Sequence, residues 1–338
     1  MSTRFAIFGD GSWGTAIAVL LSRNPDYQVR LWSAREDIGR EIQARRENVR
    51  FLPGIRLPDS LQLTTSVAEA IDSAEIWISA IPTVYLRPTW NRIRQELSHL
   101  PGIPCIVSLT KGLELESFKR PSEIITEILG DSDVVVLSGP SHAEEVSRGL
   151  PCSVVAASGK IESARRVQQL LTTDRLRVYT NLDPLGVELS GALKNVLGVA
   201  AGISEGLGFG DNALSALITR GLAELTRFGV AFGANPATFV GLAGIGDLIT
   251  TCISEHGRNR AVGIRLAGGE KLSSILASTQ MVAEGVTTAK AVHEQAVLRG
   301  LEMPICEAIY QVLYEEIDPR DAVTALMLRS LKEEKWPT

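Results

Sequence analysis

Two lysines, an aspartate and an arginine–asparagine pair stand where reaction chemistry would need them. Lys194 and Asn195 interrupt an otherwise apolar run in Gly191-Ala192-Leu193-Lys194-Asn195. An ammonium group in an apolar helix is costly unless it is paired or used. Burial lowers a lysine pKa, which suits proton exchange near neutral pH; the ordinary alternative is a side chain that snorkels to the surface. Lys111 follows the apolar run Pro104–Leu109 and precedes Gly112. At the carboxyl end of a strand in an α/β sheet it would meet an anion, and otherwise it is a surface lysine. Asp247 lies among small residues in Gly244-Ile245-Gly246-Asp247. It could pair with Lys194, bond a hydroxyl or cap a helix from Leu248 onward. Gly257-Arg258-Asn259-Arg260 offers guanidinium forks that match phosphate geometry, or a solvated helix start. Glu284-Gly285 could contact a ribose or cap a helix near Thr287.

A second group of residues suits a dinucleotide. Gly9-Asp10-Gly11-Ser12-Trp13-Gly14 sits between the apolar run Phe5–Phe8 and a helical pattern from Ile17 to Leu21. In the order strand, glycine turn, helix, Gly9 allows the tight turn. Gly11 admits a ligand to the backbone, and Gly14 lets helix and strand pack closely. Backbone N–H groups at the helix start then face a pyrophosphate. An ordinary βα turn is the plain alternative. After the next strand the chain reads Trp32-Ser33-Ala34-Arg35, with no acid at the place where NAD folds bond the ribose 2′-hydroxyl. Arg35 could pair a 2′-phosphate, which tilts the expectation toward NADPH, or could be a solvated loop residue beside Glu36 and Asp37. Ser138-Gly139-Pro140-Ser141 also closes a strand. It would bring backbone near nicotinamide and substrate, or Ser141 would cap a helix.

These residues need a scaffold of two kinds. Short apolar runs at Phe5–Phe8, Gln28–Trp32, Glu75–Ile81, Pro104–Leu109, Val134–Ser138, Cys152–Ala156 and Arg177–Thr180 alternate with amphipathic stretches. The latter include Asp37–Glu47, Pro121–Leu129 and Ile161–Leu171, and Thr83 is a candidate cap for another helix. That alternation predicts an α/β fold, a Rossmann-like doubly wound, mostly parallel sheet. After about Asp183 the strands stop. Leu185–Glu205, Asn212–Phe232, Arg260–Leu266, Thr287–Arg299 and Ile305–Glu316 suit helices. The expected division is residues 1–183 for the dinucleotide and an all-α domain, residues 184–338, for substrate and catalysis. No internal repeat is visible, and the charged tail Lys332–Thr338 reads as frayed.

Composition narrows the function classes. The chain has 338 residues, 45% of them apolar, and a formal net charge of −5 with scattered Lys and Arg. That excludes the basic stripe of a nucleic-acid binder. Cys105, Cys152, Cys252 and Cys306 are far apart, and His99, His142, His256 and His293 lack metal spacing. Free thiols in a reducing compartment are therefore expected, with neither disulfide nor metal. The strand at the N-terminus argues against a signal peptide. The apolar stretches near Leu185–Ile203 and Phe232–Ile249 are interrupted by Glu188, Lys194, Pro236 and Asp247 and read as core helices rather than membrane spans.

With these motifs in order, the chain resembles the bacterial-type NAD(P)-dependent glycerol-3-phosphate dehydrogenases from about Phe5 to Glu315. The resemblance is carried by Gly9–Thr15, Phe51–Gly54, Ser138–Val146, Val187–Val196, Gly206–Asn212, Ala216–Glu224, Gly241–Asp247, Gly257–Arg260 and Met303–Ile305. It implies reversible reduction of dihydroxyacetone phosphate to sn-glycerol 3-phosphate with NADPH or NADH. It also implies a supply of glycerol 3-phosphate to glycerophospholipid synthesis, a cytoplasmic setting and a homodimer, with neither nucleic acid nor membrane as partner. By the same resemblance, Gly9, Gly11, Ser12, Trp13, Gly14, Ala34, Arg35, Phe51, Ala143, Val282 and Glu284 bind the cofactor. Lys111 and Arg258 touch both cofactor and substrate. Gly139, Ser141, Asp247, Gly257 and Asn259 contact substrate, and Lys194 is the general acid/base.

The chain departs from the family pattern at several places. Gly257 stands where Ser is usual, which would leave a backbone N–H in place of a hydroxyl for the phosphate. His142 replaces Phe, and Phe51 stands where Tyr is common. Asp10 occupies a small-residue position in the glycine turn and should not face the pyrophosphate. Two rival readings are a dinucleotide-binding regulator without catalysis and a related dehydrogenase of hydroxy or sugar acids.

Overall fold

The computed structural model describes residues 2–97, 102–130, 132–279 and 282–334. The chain forms two compact units, Met1–Thr110 with Pro121–Pro184, and Lys111–Arg120 with Leu185–Thr338.

The first unit is built on β1 (Thr3–Phe8), β2 (Tyr27–Trp32), β5 (Gln62–Thr64), β6 (Ile76–Ser79), β7 (Cys105–Ser108), β8 (Val134–Ser138), β9 (Cys152–Ala157) and β10 (Leu176–Asn181). They lie in one eight-stranded sheet, in the order β10-β9-β8-β7-β6-β1-β2-β5. Neighbours run parallel, except for the antiparallel pair β8–β9. Both faces are apolar because helices cover both. Along β1, Phe5 and Ile7 join a cluster with Val29, Leu31 and Ile78, while Ala6 and Phe8 join Trp32, Trp77 and Trp90. This alternation is the two-residue period of a strand buried on both sides. From β1 the chain builds outward through β2 on one side and β6 on the other, so a topological switch point lies at β1.

The helices of this unit are α1 (Ser12–Leu21), α2 (Glu36–Arg45), α3 (Val67–Ile71), α4 (Thr83–Gln95), α5 (Pro121–Leu129), α6 (Ala143–Ser147) and α7 (Ile161–Leu171). Some local expectations are corrected. Glu47 lies outside α2, in the small hairpin of β3 (Glu47–Asn48) and β4 (Leu52–Arg56). Thr83 is the first residue of α4 and Pro82 precedes it, so no hydroxyl cap forms. His142 rather than Ser141 occupies the N-cap position of α6, and its side chain makes no capping bond there.

The second unit is helical: α8 (Pro184–Gly206), α9 (Asp211–Ala231), α10 (Pro236–Phe239), α11 (Asp247–Ile253), α12 (Arg258–Ala267), α13 (Leu272–Ala277), α14 (Glu284–Arg299), α15 (Pro304–Tyr314) and α16 (Pro319–Met327). A π-helical turn, Leu242–Gly246, runs directly into α11. One run, Pro236–Ile253, is long and apolar enough to cross a membrane by length and composition. It is divided among α10, the π turn and α11, and its Phe239, Leu248 and Cys252 belong to the unit's core.

The segment Lys111–Arg120 belongs to this second unit, which departs from a single cut after residue 183. The cause is packing. Leu113 is in the helical core, Leu115 and Phe118 lie against it, and Arg120 forms a 2.6 Å ion pair with the buried Glu188 of α8. The described tail, 331–334, has no regular structure, and the rest of the expected frayed segment lies outside the described residues, as does His99.

Candidate active site

The glycine turn leaves β1 at the switch point. Gly9 has φ +108°, and a Cβ there would lie 2.7 Å from the Ala80 carbonyl oxygen. A Cβ at Gly14 would lie 2.0 Å from the Gly9 carbonyl oxygen. Both positions therefore need glycine for close approach. Gly11 differs: nothing lies within 4 Å of a Cβ built there. The open space is where a ligand backbone would pass. The first bond of α1 is Thr15 N–H to the Gly11 carbonyl, so helix geometry leaves the N–H groups of Ser12, Trp13 and Gly14 facing outward. This cradle fits a pyrophosphate by shape and by dipole.

Asp10 turns toward β2: its Oδ2 lies 2.7 Å from Ser33 Oγ. Burial pushes the Asp10 carboxyl up, and the Ser33 hydroxyl pulls it back. Asn48 of β3 donates to the Asp10 carbonyl at 2.6 Å and to Thr15 Oγ1 at 2.9 Å, and it accepts from the Phe51 N–H at 3.2 Å. Asn48 is wholly buried, and sequence reading missed it. Arg35 is exposed and grips Asp37 through both Nε and Nη2, at 3.2 and 2.7 Å. The Ala34 carbonyl accepts from Arg92 at 3.3 Å. Trp13 packs on a small cluster of Ala16, Leu52 and Ala143. Gly139 has φ +139°, and the Ser141 hydroxyl donates to its carbonyl at 2.9 Å.

The helical unit brings the remaining candidates together. Lys194 lies on α8, and Asp247 opens α11 directly after the π turn; both are buried. Asp247 divides its oxygens between two ammonium groups, Oδ1 3.1 Å from Lys194 Nζ and Oδ2 2.7 Å from Lys111 Nζ. Lys194 also donates to Thr251 Oγ1, one turn beyond Asp247. Thr251 carried no signal in sequence, since a threonine inside a helix has many plain explanations. Burial holds the Lys194 pKa down at about 8; Asp247 opposes the fall, and the Lys111 charge adds to it. Such a group exchanges protons near neutral pH.

Amide bonds lock the surroundings. Asn195 donates to the Lys111 carbonyl at 3.3 Å and accepts from Asn259 at 3.0 Å, and Asn259 accepts from the Gly285 N–H at 2.9 Å. Arg258, the exposed first residue of α12, donates to the Val282 carbonyl at 3.2 Å. Glu284 is the first residue of α14 rather than its cap. The Gly257 N–H already donates to the Ser254 carbonyl at 3.1 Å, so it is not left over for a phosphate as expected. Arg260 is engaged by Glu205. Helices α8 and α12 touch backbone to backbone: a Cβ at Gly202 would lie 2.0 Å from the Arg260 carbonyl oxygen, and one at Gly263 2.1 Å from that of Val199. The described residues hold no cluster of three or more His, Cys, Asp or Glu able to take a metal.

The family model for the N-terminus of NAD-dependent glycerol-3-phosphate dehydrogenase matches residues 4–164, and that for the C-terminus matches residues 183–324. The chain is 47% identical over 334 residues to a glycerol-3-phosphate dehydrogenase [NAD(P)+] of Chlorobium limicola, covering 98% of this chain and 99% of that one. It is 49% identical to its counterpart in Geobacillus kaustophilus, covering 97% and 95%. Among solved structures, glycerol-3-phosphate dehydrogenase from Coxiella burnetii superposes with a TM-score of 0.92 at 36% identity, covering 97% and 99%. The chain belongs to the NAD-dependent glycerol-3-phosphate dehydrogenase family.

Proposed function

We propose that this chain interconverts dihydroxyacetone phosphate and sn-glycerol 3-phosphate with NADH or NADPH, and that Lys194 is its general acid and base. The observation that carries this reading is the buried Lys194–Asp247–Lys111 cluster, which holds one lysine near a working pKa of about 8. The family's relatives bear the same activity in their names.

Held at the glycine turn, a reduced nicotinamide cofactor would supply the hydride for the ketone carbon of the substrate. Negative charge then grows on the ketone oxygen, and the Lys194 ammonium gives it a proton; in the reverse direction the neutral amine takes that proton back. Asp247 and Thr251 fix the direction of Lys194 Nζ. Lys111 adds a second positive charge for the anionic substrate and makes Lys194 readier to release its proton. Arg258 anchors the phosphate with its guanidinium fork. Asn259 has two amide N–H groups and commits one to Asn195, leaving one for an oxygen. Remote phosphate binding is thereby converted into orientation at the reacting carbon. Gly139 and Ser141 complete the substrate assignment through backbone and hydroxyl contacts. Gly9, Gly11, Ser12, Trp13, Gly14, Ala34, Arg35, Phe51, Ala143, Val282 and Glu284 hold the cofactor. The same reading places the enzyme as a homodimer in the cytoplasm, feeding glycerophospholipid synthesis.

The test is loss of reduced-nicotinamide absorbance with dihydroxyacetone phosphate, run with NADH and with NADPH. Turnover with at least one is expected, and Lys194→Ala should remove it while cofactor binding stays measurable. No turnover with either cofactor, or near-normal kcat in the variant, overturns the assignment.

A further inference from the structure

Dinucleotide folds read the adenosine ribose with an acid at the carboxyl end of β2. In this chain β2 ends at Trp32, and a serine, Ser33, follows. An acid stands nearby in the turn that follows β1. Phe8 pairs with Trp32 in the parallel register of β1 and β2, and the Gly9 N–H donates to the Trp32 carbonyl. Asp10, next along, is therefore carried beside Ser33. Its carboxylate lies 2.7 Å from Ser33 Oγ, and its carbonyl is held by Asn48 and Thr15 at 2.6 and 3.2 Å. A carboxylate so fixed from both ends stands at β2's exit, although no acid occupies that place in sequence.

The basic groups nearby are already engaged. One edge of Arg35, its Nε and Nη2, is taken by Asp37 at 3.2 and 2.7 Å. Arg92 lies 5.3 Å over the Trp32 ring and donates to the Ala34 carbonyl. A 2′-phosphate would thus meet two carboxylates, Asp10 and Asp37, beside an arginine whose charge is already paired with one of them. Ribose hydroxyls, in contrast, find an acceptor ready.

We propose that Asp10 is the ribose-reading acid of this chain and sets a preference for NADH over NADPH. The inference rests on the dinucleotide-binding reading above. The carboxylate accepts from the ribose hydroxyls of NADH and repels the added phosphate of NADPH; like charges brought together disfavour the wrong partner.

The test is equilibrium binding of NADH and of NADPH without substrate, followed by reduced-nicotinamide fluorescence. Unsubstituted protein should bind NADH tighter by about tenfold or more, and Asp10→Asn, which keeps the size and the Ser33 contact, should shrink that ratio by about tenfold, chiefly through tighter NADPH. Asp37→Ala frees Arg35 from outside the glycine turn and should also tighten NADPH. Competition by AMP and by adenosine 2′,5′-bisphosphate should reproduce the ratio, which confines it to the ribose. Tighter NADPH binding by the unsubstituted protein, or an unchanged ratio in Asp10→Asn, overturns the proposal. Should Asp10→Asn fail to fold, the unsubstituted ratio and Asp37→Ala decide it. These readouts are independent of dihydroxyacetone phosphate, so failure of the substrate assignment leaves them legible.

Discussion

Lys194 Nζ lies 3.1 Å from Asp247 Oδ1, and both side chains are withdrawn from solvent. Burial and the Lys111 charge lower the Lys194 pKa, Asp247 raises it, and the balance is about 8. Ketone reduction needs the ammonium form, so kcat/KM should fall as pH rises through about 8; alcohol oxidation should rise over the same interval. Asp247→Asn removes the group that keeps the proton on Lys194, so both inflections should move to lower pH. Initial rates in both directions measure this. Inflections indifferent to the substitution would break the link between the pair and the chemistry.

The same burial has a thermodynamic cost. The folded pKa of Lys194 lies below its ordinary 10.5, so the unfolded chain binds the extra proton between about pH 8 and 10.5. Stability from this residue therefore rises with pH across that window, and below it Lys194 costs roughly 3 kcal/mol. Lys194→Met should abolish turnover yet leave Tm at neutral pH unchanged or higher, the gain being partly offset because Asp247 keeps only Lys111. A large fall in Tm would mean that the lysine serves the fold first.

Glu224 on α9 presents the opposite case. Its buried carboxylate accepts the Ile305 N–H at 2.8 Å and the Cys306 N–H at 3.2 Å, closing the start of α15. Burial pushes its pKa up to about 7 in spite of these bonds. The folded protein thus holds a proton that the unfolded chain gives up at its ordinary 4.5. The stability this confers is full below about pH 4.5 and is lost as pH rises through about 7. Glu224→Gln should flatten the curve of unfolding midpoint against pH in that window. Glu224→Ala should cost roughly 1–3 kcal/mol, because both N–H groups lose their acceptor. Parallel pH curves for Glu224→Gln and the unsubstituted protein would remove Glu224 from the account.

The glycine turn separates fold from ligand. Gly11→Ala adds a Cβ to open space at an ordinary φ of −63°, so Tm should hold while NADH and NADPH binding weakens. Gly14→Ala drives a Cβ to 2.0 Å from the Gly9 carbonyl oxygen, so the fold itself should lose about 1–3 kcal/mol. Paired melting curves and cofactor titrations distinguish the two. Equal losses of Tm would refute the idea that the space over Gly11 belongs to the ligand.

Much of this architecture was legible from pattern. Pro121–Leu129 and Ile161–Leu171 are helices with the bounds their amphipathic spacing predicts, and Val134–Ser138 is a strand with the bounds of its apolar run. The direction of β9 was not legible, because an apolar run reads the same parallel or antiparallel. The β3–β4 hairpin escaped notice because Glu47–Asn48 is too short to show a period, and Asn48, which ties the glycine turn to Phe51, went with it. Lys194 stood out because charge in an apolar helix is expensive. Thr251, its hydroxyl partner, costs nothing anywhere and so left no trace. Asp10 was visible as an oddity in the turn, but its place beside Ser33 depends on the register between β1 and β2, which no local pattern encodes.

The excursion of Lys111–Arg120 into the helical unit makes the order of the chain differ from its order in space. During synthesis the polypeptide passes through a piece of the second unit before the first has its last strands. A stretch beginning at Leu185 would lack Leu113 and Phe118 from its core and Arg120 from the buried Glu188. Neither unit can therefore be exchanged as a cassette by a single crossover. Recombination that respects this protein must move the two together, or cut at residues 110, 120 and 184 at once.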